Sequence, residues 1–253
     1  MSSPDLPPEI LDSVVDLLFD EPKTLRQCCL VSKSWVQRTR KHLFAVVVFR
    51  TERSINAWKE VFPESSDSPA KYTNVLKIES TGTILKDGCI PTFPRLARLE
   101  VNRTTYHYTC SYMNPAALQK TPPTLKSLSI HSLRPSQAFN LIRSLPFLED
   151  LSLTGDAGDI KDNDLDDVLS STSPPFTGVL QLCMSQGTAD TARRLLNLPN
   201  GLHFRKLQFQ WYGREDPSYI MELVTACSGT LECLDITCPP EGTIHFFQTC
   251  HLF

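Results

Sequence analysis

A six-residue pattern of apolar positions recurs through most of this 253-residue chain. In each copy the fourth and sixth residues are aliphatic or aromatic, and the residue between them varies. The eight copies are FAVVVF from Phe44, TNVLKI from Thr73, LARLEV from Leu96, LKSLSI from Leu125, LEDLSL from Leu148, TGVLQL from Thr177, FRKLQF from Phe204 and LECLDI from Leu231. Successive copies start 23 to 29 residues apart, a period typical of stacked structural repeats.

The alternation at the end of each copy predicts a β-strand with one buried face. Most intervals between copies carry helix-like patterns, although residues 80–94 show no convincing helix. In the last interval Asp216-Pro217 is a helix start signal, and Gly229 can end the helix. One apolar stripe is expected on that helix from Ile220, Leu223, Val224 and Cys227. Strand, helix and strand in repetition predict an α/β fold with a curved parallel sheet, coiled in the right-handed sense.

The residues that alternate with the buried positions should share the concave face of this sheet. They are Lys77, Glu79, Arg98, Glu100, Ser127, Ser129, His131, Asp150, Ser152, Thr154, Gln181, Lys206, Gln208, Gln210, Asp235 and Thr237. Small polar groups and mixed charge suit recognition of a protein or peptide, and extended concave surfaces commonly serve that purpose. The alternative is a solvated strand face without a binding role.

Three short helices are predicted before the first repeat, over Pro8 to Phe19, Thr24 to Cys29 and Ser32 to Leu43. At ~100° per residue, the apolar side chains of the first helix cover about 200° of its circumference. Its expected water-facing residues are Glu9, Asp12, Ser13, Asp16 and Asp20. So wide an apolar surface favours two partners, the repeats and a separate chain. Alternatively, the helix and Trp35 pack wholly against the first repeat.

The third predicted helix carries a basic face opposite Trp35, Thr39 and Leu43. Its members are Lys33, Gln37, Arg38, Arg40 and Lys41. We expect this face to be solvated, with attraction to an acidic partner or weak nuclear targeting as the alternatives.

Composition and charge exclude several classes of function. A net charge of −3 provides no global positive field for nucleic acid or anionic lipid. The N-terminus lacks a secretory signal pattern, and the longest apolar run, FAVVVF, is far shorter than a membrane span. Nine cysteines without a C-x-x-C pair fit reduced thiols in a cytosolic or nuclear protein. The adjacent Cys28 and Cys29 are expected to pack on a helix, with a vicinal disulfide as the alternative.

Motifs for catalysis or metal binding are absent or incomplete in the sequence. No P-loop, H-E-x-x-H pair or G-x-S-x-G elbow occurs, and we predict no enzyme and no cofactor. The alternating Asp162, Asp164 and Asp166 lack the glycine and glutamate of a calcium loop, so helix capping is preferred. A zinc set from Cys227, Cys233, Cys238 and His245 matches no common spacing. We therefore predict no metal site.

Two resemblances to known families give a more specific expectation. The fragments LPPEIL at Leu6–Leu11, DEPKTL at Asp20–Leu25 and CCLVSKSW at Cys28–Trp35 together resemble an F-box of the fungal type, spanning about residues 5–44. The L-x-x-L-x-L pattern over residues 44–236 resembles divergent leucine-rich repeats. The resemblance implies an F-box at residues 1–44 and a leucine-rich-repeat-like solenoid at 45–253. We expect either an array truncated at its C-terminal end or a terminal helix that caps it.

The family resemblance implies a substrate-recognition subunit of a Skp-cullin-F-box type ubiquitin ligase, acting in the cytoplasm, the nucleus or both. Its partners would be a Skp-family adaptor, through it a cullin, and an unknown protein target bound by the concave face, with no nucleic acid and no membrane. The implied adaptor-binding residues are Leu6, Pro7, Ile10, Leu11, Leu30, Val31 and Trp35. The alternative is a leucine-rich-repeat interaction scaffold with no ligase role.

Overall fold

The computed structural model describes residues 7–63, 68–80, 92–103, 122–131, 135–156, 174–210 and 216–237. These residues form an α/β fold whose helices are α1 (Pro8–Leu17), α2 (Pro22–Val31), α3 (Lys33–Leu43), α4 (Glu52–Val61), α5 (Pro135–Arg143), α6 (Thr188–Leu196) and α7 (Ser218–Ala226). A short 3-10 helix spans Pro69–Tyr72. The strands are β1 (Val46–Phe49), β2 (Val75–Ser80), β3 (Arg98–Arg103), β4 (Ser127–His131), β5 (Asp150–Asp156), β6 (Val179–Gln186), β7 (Lys206–Gln210) and β8 (Cys233–Thr237).

All eight strands belong to one parallel sheet, in which spatial order follows chain order. The register aligns the fourth positions of the sequence pattern in one row across the sheet: Val47, Leu76, Leu99, Leu128, Leu151, Leu180, Leu207 and Leu234. The sixth positions form a second row: Phe49, Ile78, Val101, Ile130, Leu153, Leu182, Phe209 and Ile236. The predicted parallel α/β sheet is confirmed, with every copy of the pattern forming one strand.

One continuous apolar core lies between these two rows and the helices. Each of the helices after β1 contributes to it, through Ile55 of α4, Ile142 of α5, Leu195 of α6 and Leu223 of α7. The expected stripe on α7 is also confirmed, since Ile220 and Cys227 are buried with Leu223. The helices therefore cover one face of the sheet.

Helices α1 to α3 precede the sheet in the order that the sequence predicts. Helix α2 starts at Pro22, two residues before the predicted Thr24, because proline suits the first helical turn. At the start of α3 the side chain of Ser32 accepts a hydrogen bond from the backbone N–H of Ser34 at 3.3 Å. Helix α3 packs against both α1 and α2. It is therefore the central member of the three.

Five aromatic side chains pack where α3 meets the sheet: Phe44, Phe49, Trp58, Phe62 and Phe93. The ring of Trp58, on α4, lies in the middle, with its centroid 5.8 Å from Phe44 and 4.8 Å from Phe62. Phe49 and Phe93 lie 5.8 Å and 5.9 Å from the same ring. Because Phe44 follows α3 directly, this cluster attaches the N-terminal helices to the first strand.

Candidate interaction surfaces

Large apolar side chains remain exposed on α1, just beyond its end and on α2. We name this set the apolar helical surface: Ile10, Val14, Leu17, Phe19, Leu30 and Val31. Ile10, Val14 and Leu17 follow one another at helical spacing along one side of α1, while Leu30 and Val31 end α2. The exposed fraction is 50% at Ile10 and reaches 88% at Leu30. The described repeats therefore leave much of the predicted apolar arc of α1 uncovered.

The residues implied by the resemblance to bind an adaptor fall into three groups. Pro7, Ile10, Leu30 and Val31 are exposed. Leu11 and Trp35 are partly buried, and therefore also support the packing of the helices. Leu6 lies outside the described residues.

A cluster of three charged or titratable side chains joins α1 to α3. Both carboxylate oxygens of Asp16 accept hydrogen bonds from the guanidinium of Arg38, with 2.6 Å between Nε and Oδ1. His42 Nε2 lies 2.7 Å from Oδ1 of the same carboxylate. The hydrogen bonds from Arg38, and then those from His42, hold the pKa of Asp16 well below its usual range.

This cluster corrects two expectations from the sequence. Asp16 was expected to face water and Arg38 to lie on a solvated basic face, whereas the two side chains are bound to each other and partly buried. The remaining members of the basic face, Lys33, Gln37, Arg40 and Lys41, are exposed as expected. A helical wheel describes one helix at a time. It therefore could not show that α1 and α3 pack with Asp16 facing Arg38.

The polar residues of the strands lie on the sheet face opposite the apolar core. Hereafter the open face denotes Lys77, Glu79, Arg98, Glu100, Ser127, Ser129, His131, Asp150, Ser152, Thr154, Gln181, Lys206, Gln208, Gln210, Asp235 and Thr237. Neighbouring strands bring Lys77, Glu100, Ser129, Ser152, Gln181, Gln208 and Asp235 into one row. The open face is therefore a mostly polar surface across β2 to β8, which also includes Val75, Val179, Cys183 and Cys233.

Charged side chains concentrate on β2 and β3. Glu100, whose side chain is 13% exposed, lies 2.8 Å from Lys77 Nζ and 3.2 Å from Arg98 Nε. Glu79 pairs at 3.1 Å with Arg50, a more exposed residue that follows β1. Because these charges are paired within the face, this part is preorganised for hydrogen bonding and carries little net charge of its own.

His131 forms the polar centre of the open face on β4. Its Nε2 lies 3.1 Å from the hydroxyl of Ser129, and its Nδ1 shares a hydrogen bond with the hydroxyl of Thr154. Burial lowers the pKa of His131; the cations Lys77 and Arg98 act in the same direction, and Glu100 opposes them. At neutral pH this centre therefore favours a neutral imidazole held between two hydroxyl groups.

The contact between Ser129 and His131 was missed in the sequence. Histidine beside a serine hydroxyl is one element of nucleophile activation. In a catalytic triad the other ring nitrogen is oriented by a group such as a carboxylate. In this protein the other ring nitrogen of His131 contacts the neutral hydroxyl of Thr154 instead. The S-x-H spacing on a predicted strand could have indicated the pair, since alternate strand residues share a face.

Hydroxyl, amide and acidic groups continue the open face over β5 to β8. Ser152 donates to Gln181 at 3.2 Å, and Gln208 donates to Asp235 at 3.3 Å. Asp150 instead accepts the backbone N–H of Val179 at 2.8 Å. Most of these groups therefore point along the sheet to their neighbours, which fixes their positions before any ligand binds.

The structure adds little on metals and thiols. Among the described residues, no group of three or more His, Cys, Asp or Glu side chains is arranged to hold a metal ion. Asp162, Asp164, Asp166, Cys238 and His245 lie outside those residues. Cys28 and Cys29 are both free thiols, and Cys28 is buried as the helical pattern predicts.

No helix in the described part of the chain has the length and apolar character needed to cross a bilayer. Comparison with known proteins gives no further guidance, since no protein-family model and no curated protein matches this chain. Functional assignment therefore depends on the residues themselves and on the two surfaces that they form.

Proposed function

We propose that this chain is the substrate-recognition subunit of a Skp-cullin-F-box type ubiquitin ligase. In this proposal residues 1–44 act as the F-box and bind a Skp-family adaptor. Residues 45–253 act as a leucine-rich-repeat-like solenoid that holds a protein target. The chain itself has no catalytic role, and it acts in the cytoplasm, the nucleus or both.

The observation that carries the proposal is the apolar helical surface of α1 and α2. Leu17 and Leu30 are 79% and 88% exposed, and both lie within the segment of residues 5–44 that resembles an F-box. Several large apolar side chains left exposed together are a feature of protein-binding sites. Binding energy at such sites is concentrated in a few residues, each costing about 2 kcal/mol or more when truncated.

The open face supplies the second surface that the proposal needs. Its side chains belong to strands rather than loops, and hydrogen bonds such as Ser152 to Gln181 hold them in place. Preorganised groups lose less conformational entropy on binding. An adaptor on α1 and α2 and a target on the open face would make ubiquitin transfer effectively intramolecular.

Co-purification with a Skp-family adaptor tests the proposal. We expect the full chain to form a stable complex with the adaptor, and Ile10→Asp or Leu30→Asp to abolish it. Both side chains are at least half exposed, so these variants should fold normally. Met221→Asp is the matched control, because Met221 is 64% exposed on α7, far along the chain from α1.

A wild-type chain that purifies alone and does not bind the adaptor would overturn the ligase assignment. Such a result would favour the interaction scaffold, in which the N-terminal helices only extend the repeats. Equal loss of binding in Met221→Asp would also count against the proposal, since it would show a nonspecific effect of an added surface charge.

A further inference from the structure

We infer that Asp16 is a positioning residue for the apolar helical surface: its ion pair with Arg38 and its hydrogen bond with His42 fix α1 against α3 in the orientation that a partner protein binds. This inference rests on the proposed function, since the partner is the adaptor. It adds a residue outside those that the motif resemblance implies.

Helix α1 has few other attachments. Its principal packing neighbour is α3. Among its apolar side chains from residue 9 onwards, Val15 is fully buried and Leu11 partly buried, while Ile10, Val14 and Leu17 are exposed. A helix of 10 residues is too short to be stable alone in water. The polar contacts to α3 therefore add to a small apolar contact in holding α1 in place.

The geometry of the cluster suits that task. Arg38 and His42 lie one turn apart on α3, and both contact the same carboxylate. A carboxylate that binds a guanidinium through both oxygens has a defined direction as well as a defined distance. A second contact one turn along α3 adds a further constraint, so rotation or sliding of α1 must break at least one charge-assisted hydrogen bond.

Asp16 does not belong to the exposed stripe itself. At ~100° per residue it lies roughly 130° around α1 from the middle of the stripe formed by Ile10, Val14 and Leu17. An effect of Asp16 on partner binding would therefore act through the orientation of α1. Contact with the partner is the role of the stripe.

The test measures adaptor affinity and backbone hydrogen exchange in the full-length chain. For Asp16→Asn we expect adaptor binding to be about tenfold weaker. This is the loss that follows if the docked state of α1 falls to roughly a tenth of the population, because only that state binds the adaptor. Amide exchange should speed up in α1 and change little in α2 and the sheet. Arg38→Gln should have a similar effect alone and add almost nothing to Asp16→Asn, because both remove the same interaction.

Two controls separate positioning from other effects. Glu9→Gln removes one negative charge from the same side of α1, where Glu9 is exposed, and should leave affinity and exchange unchanged. Ile220→Val destabilises the core at α7 and should lower thermal stability without weakening adaptor binding, because Ile220 packs far along the chain from α1.

The outcomes are distinct. If the wild-type chain does not bind the adaptor, the proposed function fails and this inference fails with it. If the wild type binds and Asp16→Asn binds equally well, with unchanged exchange in α1, only the positioning role is overturned. Weaker binding in Ile220→Val by the same factor as in Asp16→Asn would likewise overturn it, because general destabilisation would then explain both.

Discussion

The carboxylate of Asp150 on β5 occupies the space in which a β-carbon at position 178 would lie, so Gly178 leaves room for this carboxylate. From that position Asp150 accepts the backbone N–H of Val179, the first residue of β6, at 2.8 Å. Asp150 was expected from the sequence to face a target. Its contact instead joins two neighbouring strands, and any role in target binding stays a prediction.

Substitution of Gly178 should therefore destabilise the protein. We expect Gly178→Ala to lower the free energy of unfolding by about 1–3 kcal/mol, because the new methyl group displaces the Asp150 carboxylate and leaves the Val179 N–H unpaired. Urea denaturation measures this. Gly229→Ala is the control, since a β-carbon there meets nothing within 4 Å, and its effect should stay within about 0.5 kcal/mol.

The sequence predicted the sheet well for a physical reason. A residue such as Leu207 is fully buried because it points into the core, and its neighbours Lys206 and Gln208 point the other way and are only partly buried, so burial follows the two-residue period of a strand. The same alternation was sufficient to place the open face. Local periodicity therefore indicates which strand residues share a face, even though the spacing between copies of the pattern varies.

The contacts that the sequence did not reveal all join separate elements. Asp16 and Arg38 are 22 residues apart, and each taken alone on its helix looks like a solvated charge. Asp150 and Gly178 meet only because β5 and β6 pair in a particular register. Crossing angles and registers depend on the packing of the whole fold, so single-element patterns cannot supply them.

The aromatic cluster around Trp58 should couple the N-terminal helices to the sheet. We expect Trp58→Ala to lower stability by about 2–4 kcal/mol, because Trp58 packs against Phe44, Phe49, Phe62 and Phe93 and the truncation leaves a cavity. Calorimetry should show one unfolding transition in the wild type and an earlier, separate transition of α1 to α3 in the variant. Val61→Ala, on the same helix but 66% exposed, should behave like the wild type. A single transition retained in Trp58→Ala would contradict the coupling.

His131 should make stability depend on pH. Burial lowers its pKa in the folded state below the usual value of 6.5, so the folded protein binds a proton less readily than the unfolded chain. The stability from neutral His131 is fully present above that value and is lost as pH falls from it towards the folded pKa. We expect the free energy of unfolding to decrease between about pH 7.5 and 5.5, and to decrease less in His131→Gln.

A second variant checks the assignment of that slope to His131. Gln208→Ala changes the same face of the sheet without removing a titratable group, and should keep the wild-type dependence on pH. An identical slope in His131→Gln and the wild type would show that the lowered pKa of His131 contributes nothing measurable.

Under the proposed ligase function, the open face should bind the protein targets that are to be degraded. The Ile10→Asp variant is expected to lose adaptor binding and to keep target binding. Proximity labelling with this variant should therefore mark target proteins, and the same proteins should accumulate in cells that lack the adaptor. We expect the labelling of those proteins to be lost when the variant also carries Gln208→Ala and Asp235→Ala. These two side chains form a hydrogen-bonded pair at 3.3 Å on the open face. Met221→Ala with Glu222→Ala, on the exposed side of α7, is the matched pair that should keep that labelling. An unchanged set of labelled proteins after the open-face substitutions would place target binding elsewhere on the chain.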